Sequence, residues 1–354
     1  MQRVTVELGE RSYDVCVTRG WDGLRQRLHG VGHGPPVVIT DDVVAPLYLD
    51  EVSRRLAPRA TVVVPSGEGS KSWRRLGMVV DRLLEAGVDR RTPVVALGGG
   101  MVGDLAGLAA ALTLRGLPVV QLPTTLLAMV DSAVGGKTAV NHPRGKNLVG
   151  AFHQPSLVWA NLDTLDTLPP EQLASGLGEV VKTAVVGDAT LLDVVAQGDR
   201  DRQGEVVGRC VACKARVVAA DEQESGVRAW LNAGHTVGHA VETAAGHGQV
   251  AHGVAVAHGL VAEARWAVAE GVCIDPDLPD RLADLLWRLR LPDLPATFDH
   301  GAAEAALQVD KKAVGDMMSL PVPRRAGEMV LVPVPRARLP ELLQHLPQDH
   351  PTVT

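Results

Sequence analysis

Aromatic side chains are scarce in this 354-residue chain: two Tyr, two Phe and six Trp make up 3% of it. Single-strand nucleic-acid binders stack bases on such rings, so that class is poorly supported. Positive charge is not in excess either. The formal net charge is −6, which argues against a partner made of nucleic acid or an anionic membrane surface. No apolar run reaches the roughly 20 residues that cross a bilayer. The opening Met1-Gln-Arg-Val-Thr-Val-Glu-Leu8 alternates like a strand and lacks the apolar centre of a signal peptide, so a cytoplasmic setting is expected. Four cysteines are too few for a disulfide framework. Cys210 and Cys213 form one CxxC in a helical pattern, and with no second pair to complete a zinc site they read as buried thiols.

Lysine is the other rarity. Of 35 Lys plus Arg only seven are Lys. Where a chain defaults to Arg, each Lys suggests a place that needs a compact, titratable ammonium. Chance accounts for Lys71 or Lys311 taken singly, whereas Lys137, Lys146 and Lys182 fall in distinctive stretches and become functional candidates.

What is present is ample core material, 46% hydrophobic, over a length that suggests about two domains. Residues 1–165 alternate strand and helix patterns. Apolar runs at 36–40, 60–65, 93–97 and 118–122 read as buried parallel strands, with helices at 43–56, 73–86 and 101–114 between them. This predicts a Rossmann-like, doubly wound α/β domain, whose strand ends carry Asp41, the 66–71 turn, Gly98-Gly99-Gly100 and Pro123-Thr124-Thr125 on the edge where such sheets bind ligands. From 166 to 354 the pattern turns helical, at 170–185, 189–197, 205–222, 228–246, 253–270, 277–290 and 301–311, giving an all-α second domain. A short strand pair at 317–322 and 328–333 and a last helix near 338–346 are expected, with a loose tail from Pro347. There is no internal repeat.

Gly98, Gly100 and Gly103 satisfy G-x-G-x-x-G after a strand and into a helix, so backbone N–H groups can face a pyrophosphate. A tight packing turn is the alternative. The motif comes late in the domain, and the next strand carries Gln121 where an acid would serve. The ribose carboxylate is therefore sought at Asp41, with Glu68 and Lys71 nearby and Asp104 toward the nicotinamide half. The stretch from Asp131 to Asn147 shows neither helical nor strand period and reads as a long functional loop. In it Lys137, Lys146 and Asn147 offer two ammoniums and an amide to an anion.

Asn232-Ala-Gly-His-Thr-Val-Gly-His239 places His235 and His239 four apart, so both imidazoles leave one helical face. His252 opens the next helical segment. With a carboxylate, chosen as Glu179, such imidazoles suit a divalent cation; one HxxxH alone is better explained by ordinary helix histidines. Arg228 and Asn232 precede the pair by similar steps, so anion- and metal-binding groups would share one helical wall. Lys182 lies three residues after Glu179 on the same face, suited to steering a proton or holding a hydroxyl.

Taken together, Gly98–Gly103, Pro123-Thr-Thr, Val134-Gly-Gly-Lys-Thr-Ala-Val-Asn, Gly145-Lys-Asn, Gly176-Leu-Gly-Glu-Val-Val-Lys and Asn232–His239 resemble the 3-dehydroquinate synthase family of the sugar-phosphate cyclase superfamily, in order and along nearly the whole chain. The resemblance implies zinc or cobalt on Glu179, His235 and His252, with His239 a substrate neighbour instead of a ligand. It implies NAD at Asp41, the 66–71 turn, the 100–104 loop, Thr124, Thr125, Lys137, Lys146 and Thr164–Thr167. It implies a sugar-phosphate substrate held by Asp131, Lys137, Asn147, Lys182, Lys214, Arg228, Asn232, His239 and Lys312, and a homodimer in which Arg115 reaches the neighbouring subunit. The implied reaction is a transient oxidation, loss of phosphate by β-elimination, re-reduction and aldol closure, with no net oxidation. Val43, Thr183 and Val254 depart from the usual pattern without removing a ligand, and the 313–327 segment is short. A cyclase acting on an aminated substrate and a metal-dependent polyol dehydrogenase are the rival readings.

Overall fold

The computed structural model describes residues 1–246, 248–295, 297–308, 313–314 and 316–347. Lys311, Lys312 and the tail from 348 lie outside the described residues. The chain divides into two compact units, Met1–Leu168 with Lys214–Ala219, and Pro169–Cys213 with Ala220–Thr354. Among the described residues no helix is long and apolar enough to cross a membrane.

In the first unit seven strands form one sheet: β1 (Gln2–Val6), β2 (Tyr13–Thr18), β3 (Val37–Asp41), β4 (Ala60–Val64), β5 (Val94–Gly98), β6 (Val119–Pro123) and β9 (Leu157–Asn161). Their order is β1-β2-β9-β6-β5-β3-β4. Only β1 and β2 pair antiparallel; every other neighbour is parallel. Val37, Ile39, Val94 and Ala96 point into one core with α3 (Trp73–Glu85) and α4 (Gly100–Leu112). Val38, Val95, Leu97 and Leu122 point into another with α1 (Leu24–His29) and α2 (Asp50–Leu56). Burial on both faces is why these strands read as unbroken apolar runs instead of alternating ones. β2 and β9 have no counterpart in the sequence expectation.

The stretch 131–147 is not a structureless loop. After a turn of π-helix at Ala128–Ser132, β7 (Lys137–His142) and β8 (Gly145–Phe152) form an antiparallel hairpin. Thr138 and Val140 are buried while Lys137 and His142 are exposed, and Val149 and Ala151 pack on the α3–α4 core. Glycine, asparagine and the Pro-Arg turn hide this half-buried alternation in the sequence. Gly107 of α4 makes the seat: a Cβ there would lie 2.5 Å from Thr138 Cγ2.

The second unit holds α5 (Pro170–Gly187), α6 (Leu191–Ala196), α8 (His235–Ala245), α9 (His252–Ala269), α10 (Leu278–Arg288) and α11 (His300–Gln308); α7 (Gln203–Ala220) enters both units. The expected strand pair forms β11 (Met317–Arg325) and β12 (Glu328–Pro335) of a three-stranded antiparallel sheet, with β10 (Ala313–Val314) on the other side of β11. The last helix is a 3-10 segment, Arg336–His345, with Pro340 inside it. Proline cannot donate to an α-helical ladder.

A second correction concerns 228–246, which is not one helix. A 3-10 turn at Val227–Asn232 ends at Ala233, and α8 begins after Gly234 at φ 77°. That glycine is required: a Cβ would lie 2.3 Å from Val256 O. α9 is buried nearly all round, and glycines let its neighbours touch it backbone to backbone. A Cβ on Gly178 of α5 would lie 1.9 Å from Gly253 O, one on Gly253 1.8 Å from Ser175 O, and one on Gly259 2.2 Å from Gly234 O.

Replacing glycine by alanine inside an exposed helix ordinarily gains about 1 kcal/mol. At Gly178 the methyl would meet a carbonyl oxygen that cannot move without the helix, and overpacking of this kind costs about 1–3 kcal/mol, occasionally more. Gly178→Ala is therefore expected to lower the urea midpoint of unfolding; a midpoint equal to or above wild type contradicts the contact.

Candidate functional site

The second unit gathers most of the expected metal chemistry. Glu179 and Lys182 project from α5, His235 and His239 from α8, and His252 begins α9. Gly178, Gly234 and Gly253, the glycines at the helix crossings, are the chain neighbours of Glu179, His235 and His252, so the backbone contacts set the distances between these side chains. Glu179 Oε1 lies 3.4 Å from His252 Nε2 and 3.8 Å from His235 Nε2. Its other oxygen, Oε2, meets Lys182 Nζ at 2.5 Å, with both side chains buried. The three imidazoles are mutual neighbours, with ring centroids 5.2–5.6 Å apart. Their ligand atoms lie within 4.8 Å of one another.

The tautomers suit a cation. His235 Nδ1 faces Ala233 O at 3.2 Å, and a carbonyl only accepts, so Nδ1 carries the proton and Nε2 is left as a lone-pair donor. His252 Nδ1 faces Glu242 Oε2 at 3.1 Å, which turns its Nε2 toward Glu179 in the same way. A carboxylate behind a ligating imidazole is the usual outer arrangement of a metal-binding histidine. Burial opposes charge on His252, but hydrogen bonds to Glu179 and Glu242 overcome it and push its pKa up to about 10. Cation uptake here would displace that proton. Two imidazoles and one carboxylate, already aimed inward, fit zinc or cobalt.

Arg228 and Asn232 sit on the short 3-10 turn and not on the helix of the histidines. The Arg228 guanidinium is buried and donates to Glu222 O, and its backbone N–H donates to Asp221 Oδ2 at 3.0 Å. Burial opposes the charge on Asp221, yet three backbone N–H groups hold its pKa down at about 2. Asn232 donates to Glu224 Oε1 at 2.7 Å. Lys312 lies outside the described residues.

In the first unit the carboxyl ends of the parallel strands share one edge. β3 leads outward to β4, whereas β5, its neighbour, leads through α4 to β6 on the other side, so the chain reverses direction between β3 and β5. Asp41 ends one of these strands and Gly98 the other, flanking the point where open sheets bind nucleotides. The late position of the glycine motif is thus a matter of strand order. The glycines divide their work. Gly98 and Gly103 are packing positions, since a Cβ would lie 2.7 Å from Val102 and 2.8 Å from Gln121 Oε1. Gly99 and Gly100 form the turn into α4, against Thr125 and Ser132. Gln121 is mid-strand and donates to Gly103 O at 3.2 Å, so it does not occupy a ribose position.

Around this edge Asp41 Oδ1 accepts the N–H groups of Val43 and Val44 at 3.0 and 2.8 Å. Lys71 is buried and ion-paired with Asp104, whose carboxyl burial pushes up against the pull of Lys71. Glu68 Oε1 accepts from Asn141 Nδ2 at 2.7 Å, tying the 66–71 turn to β7. Thr124 N–H donates to Gly98 O at 3.0 Å, and Thr125 Oγ1 caps the N–H of Ala128 at 3.1 Å. Thr164 turns its hydroxyl to Asn161 O at 2.8 Å, while Thr167 bonds Tyr48. Lys214 Nζ donates to both Oδ1 and the main-chain oxygen of Asp131, each at 2.7 Å. Lys137 opens β7 and Lys146 lies beside the hairpin turn. Four residues of strand, roughly 14 Å, separate those points. The two lysines start from backbone positions spread along the hairpin, with Asn147 beside Lys146 at φ 55°.

Glu242 and the fully buried Glu263, which accepts from the Gly234 and Val237 N–H groups, were missed by the sequence reading. Glu242 had a signal, since it lies seven residues after His235 and three after His239 and so shares their helix face. Glu263 had none.

The family model for the N-terminal part of 3-dehydroquinate synthase matches residues 61–175, and that for the C-terminal part matches 176–313. The chain is 47% identical over 326 residues to a 3-dehydroquinate synthase of Pelobacter propionicus, covering 88% of this chain and 90% of the relative. Among solved structures, a 2-deoxy-scyllo-inosose synthase complexed with carbaglucose-6-phosphate, NAD+ and Co2+ superposes with a TM-score of 0.87 at 25% identity, covering 98% of this chain and all of that one. A 2-epi-5-epi-valiolone synthase of Streptomyces hygroscopicus with NAD+ and Zn2+ bound gives 0.84 at 30% identity, covering 96% and 97%.

Truncating Glu242 removes the group that fixes the His252 ring. Glu242→Ala is expected to weaken zinc binding by roughly 10–100-fold, read by competition with a chromophoric chelator; wild-type affinity would show that the ring is held by other means.

Proposed function

Because the chain belongs to the 3-dehydroquinate synthase family, we propose that it converts 3-deoxy-D-arabino-heptulosonate 7-phosphate to 3-dehydroquinate and phosphate. The observation that carries this reading is the meeting of Glu179, His235 and His252 beside the buried ammonium of Lys182. We assign the cation to those three ligands. The support is that the inward Nε2 atoms of His235 and His252 converge on one carboxylate oxygen, Glu179 Oε1. His239 is assigned to the substrate. The dinucleotide is assigned to the edge between β3 and β5, with Asp41, Glu68, Lys71, Gly98–Gly100, Gly103, Asp104, Thr124, Thr125, Lys137, Lys146, Thr164 and Thr167.

When bound, NAD accepts and later returns a hydride, and the divalent cation acidifies the hydroxyl to be oxidised. The chain's own groups orient and move protons. Lys182 holds Glu179 at one oxygen, so it suits steering a proton at a hydroxyl brought to that carboxylate. Arg228 and Asn232, each braced by an acidic loop, offer cationic and amide donors to the substrate's anionic ends; the family resemblance is what adds Lys137, Asn147, Lys214 and Lys312 to that assignment. Asp131 fixes the Lys214 ammonium by two hydrogen bonds. A cytoplasmic homodimer belongs to the same reading. Its support is Arg115, exposed in a left-handed turn at φ 68° after Leu114 at φ 50°.

Assay with the heptulosonate phosphate is expected to release phosphate while the absorbance of reduced dinucleotide stays flat. NADH accumulating with product would instead favour a polyol dehydrogenase. Glu179→Gln and His235→Ala are expected to abolish turnover. His239→Ala is expected to keep zinc and lose about 10²–10⁴-fold in kcat/KM, the range of a lost acid–base group; loss of the metal in that variant would make His239 a ligand.

A further inference from the structure

Two carboxylates brace α8 against α9 at opposite ends. Near the end of α8, Glu242 reaches His252, the first residue of α9. Three turns along α9, Glu263 reaches back to the start of α8, where its Oε2 accepts the N–H of Gly234 at 2.5 Å and its Oε1 that of Val237 at 3.4 Å. The helices run antiparallel between these points, since Gly238 lies against Val256 and Gly234 against Leu260. His235 and His239 on α8 and His252 on α9 are the imidazoles held between them. We propose that Glu263 is a positioning residue for the metal site: it sets how far α8 slides along α9, and thereby where His235 stands relative to His252. This rests on the metal assignment above.

Glu263 is fully buried, at 0% exposure. A buried carboxylate is strongly unfavourable unless its oxygens accept hydrogen bonds. The first-turn N–H groups of a helix, with the positive end of its dipole, supply such donors. The pairing makes the start of α8 a fixed point. It is also the point where the backbone changes from the 3-10 turn of Arg228 and Asn232 to the helix of His235, through the left-handed Gly234. A slide of α8 by even a fraction of an ångström there would carry His235 Nε2 away from the inward geometry it shares with His252. Cation binding is sensitive to shifts of that size, because ligand atoms must all come within about 2.0–2.2 Å of the metal.

The test is zinc affinity of metal-stripped, folded protein, measured by competition with a chromophoric chelator, together with the visible spectrum of the Co2+-loaded form. Glu263→Gln keeps shape but presents an amide nitrogen to a backbone donor. It is expected to bind zinc at least about tenfold more weakly, the lower end for outer-shell partners, with wild-type helicity and an altered Co2+ spectrum. Glu263→Asp, which keeps the charge and shortens the reach, is expected to recover part of the affinity. A lower melting temperature in Glu263→Gln with unchanged zinc affinity and spectrum would make the residue merely structural and overturn the proposal. Should Glu263→Gln fail to fold, Glu263→Asp decides: zinc binding weaker than wild type with an altered Co2+ spectrum supports the proposal, and wild-type affinity or an unchanged spectrum overturns it. His235→Ala separates the underlying assignment, since undiminished zinc binding there would remove the metal set itself.

Discussion

The closeness of three helices at their glycines governs the second unit. Ordinary helix pairs stand 8–10 Å apart with side chains between them. At Gly178–Gly253 and Gly234–Gly259 no side chain intervenes, and carbonyl oxygens occupy the space a methyl would take. The residues adjacent in sequence to these contacts are Glu179, His252 and His235. A ligand set needs atoms converging to little more than 2 Å from one point, and rigid backbone contact supplies that better than long side chains reaching across a loose core. Lys182, Glu242 and Glu263 then tighten what the glycines approximate: one holds the carboxylate, one turns a ring, one pins a helix start.

The first unit solves a different problem with the same economy. Both faces of the central strands β3, β5 and β6 are buried, and the chain reverses direction between β3 and β5, the kind of strand-end edge at which open sheets bind ligands. Glycine serves there in two ways, allowing β5 to meet Val102 of α4 at Gly98 and α4 to pack on Gln121 and Thr138 at Gly103 and Gly107, and allowing the Gly99–Gly100 turn to approach Thr125 and Ser132. The buried Lys71–Asp104 pair beside it costs desolvation.

How much of this could be read in advance follows from the range over which each signal acts. Strands buried on both faces announce themselves as apolar runs, so β3, β5 and β6 were legible; the edge strand β4, buried on one face only, was legible from its run of valines, as were the long helices. The hairpin at 137–152 was not, because its buried positions are Thr138 and Val140 among glycine, asparagine and lysine, and because what it covers is Gly107, thirty residues earlier. The break at Gly234 was hidden by helical spacing that carries straight through it; the reason for the break is Val256 O, a tertiary contact. Spacing placed His235 and His239 on one face, and the rings are indeed neighbours. It could not say that the carboxylate oxygen would meet His235 and His252. The family resemblance made that distinction, and Glu263, which no spacing marks, emerged only from coordinates.

The central claim is that one cation is held by Glu179, His235 and His252 and not by three imidazoles. X-ray absorption at the zinc edge of the loaded wild-type protein addresses it directly. The account predicts a first shell of two imidazoles with oxygen ligands, at about 2.0–2.1 Å, losing one imidazole in His252→Ala and unchanged in His239→Ala. A shell of three imidazoles in the wild type, reduced to two by His239→Ala, would contradict it.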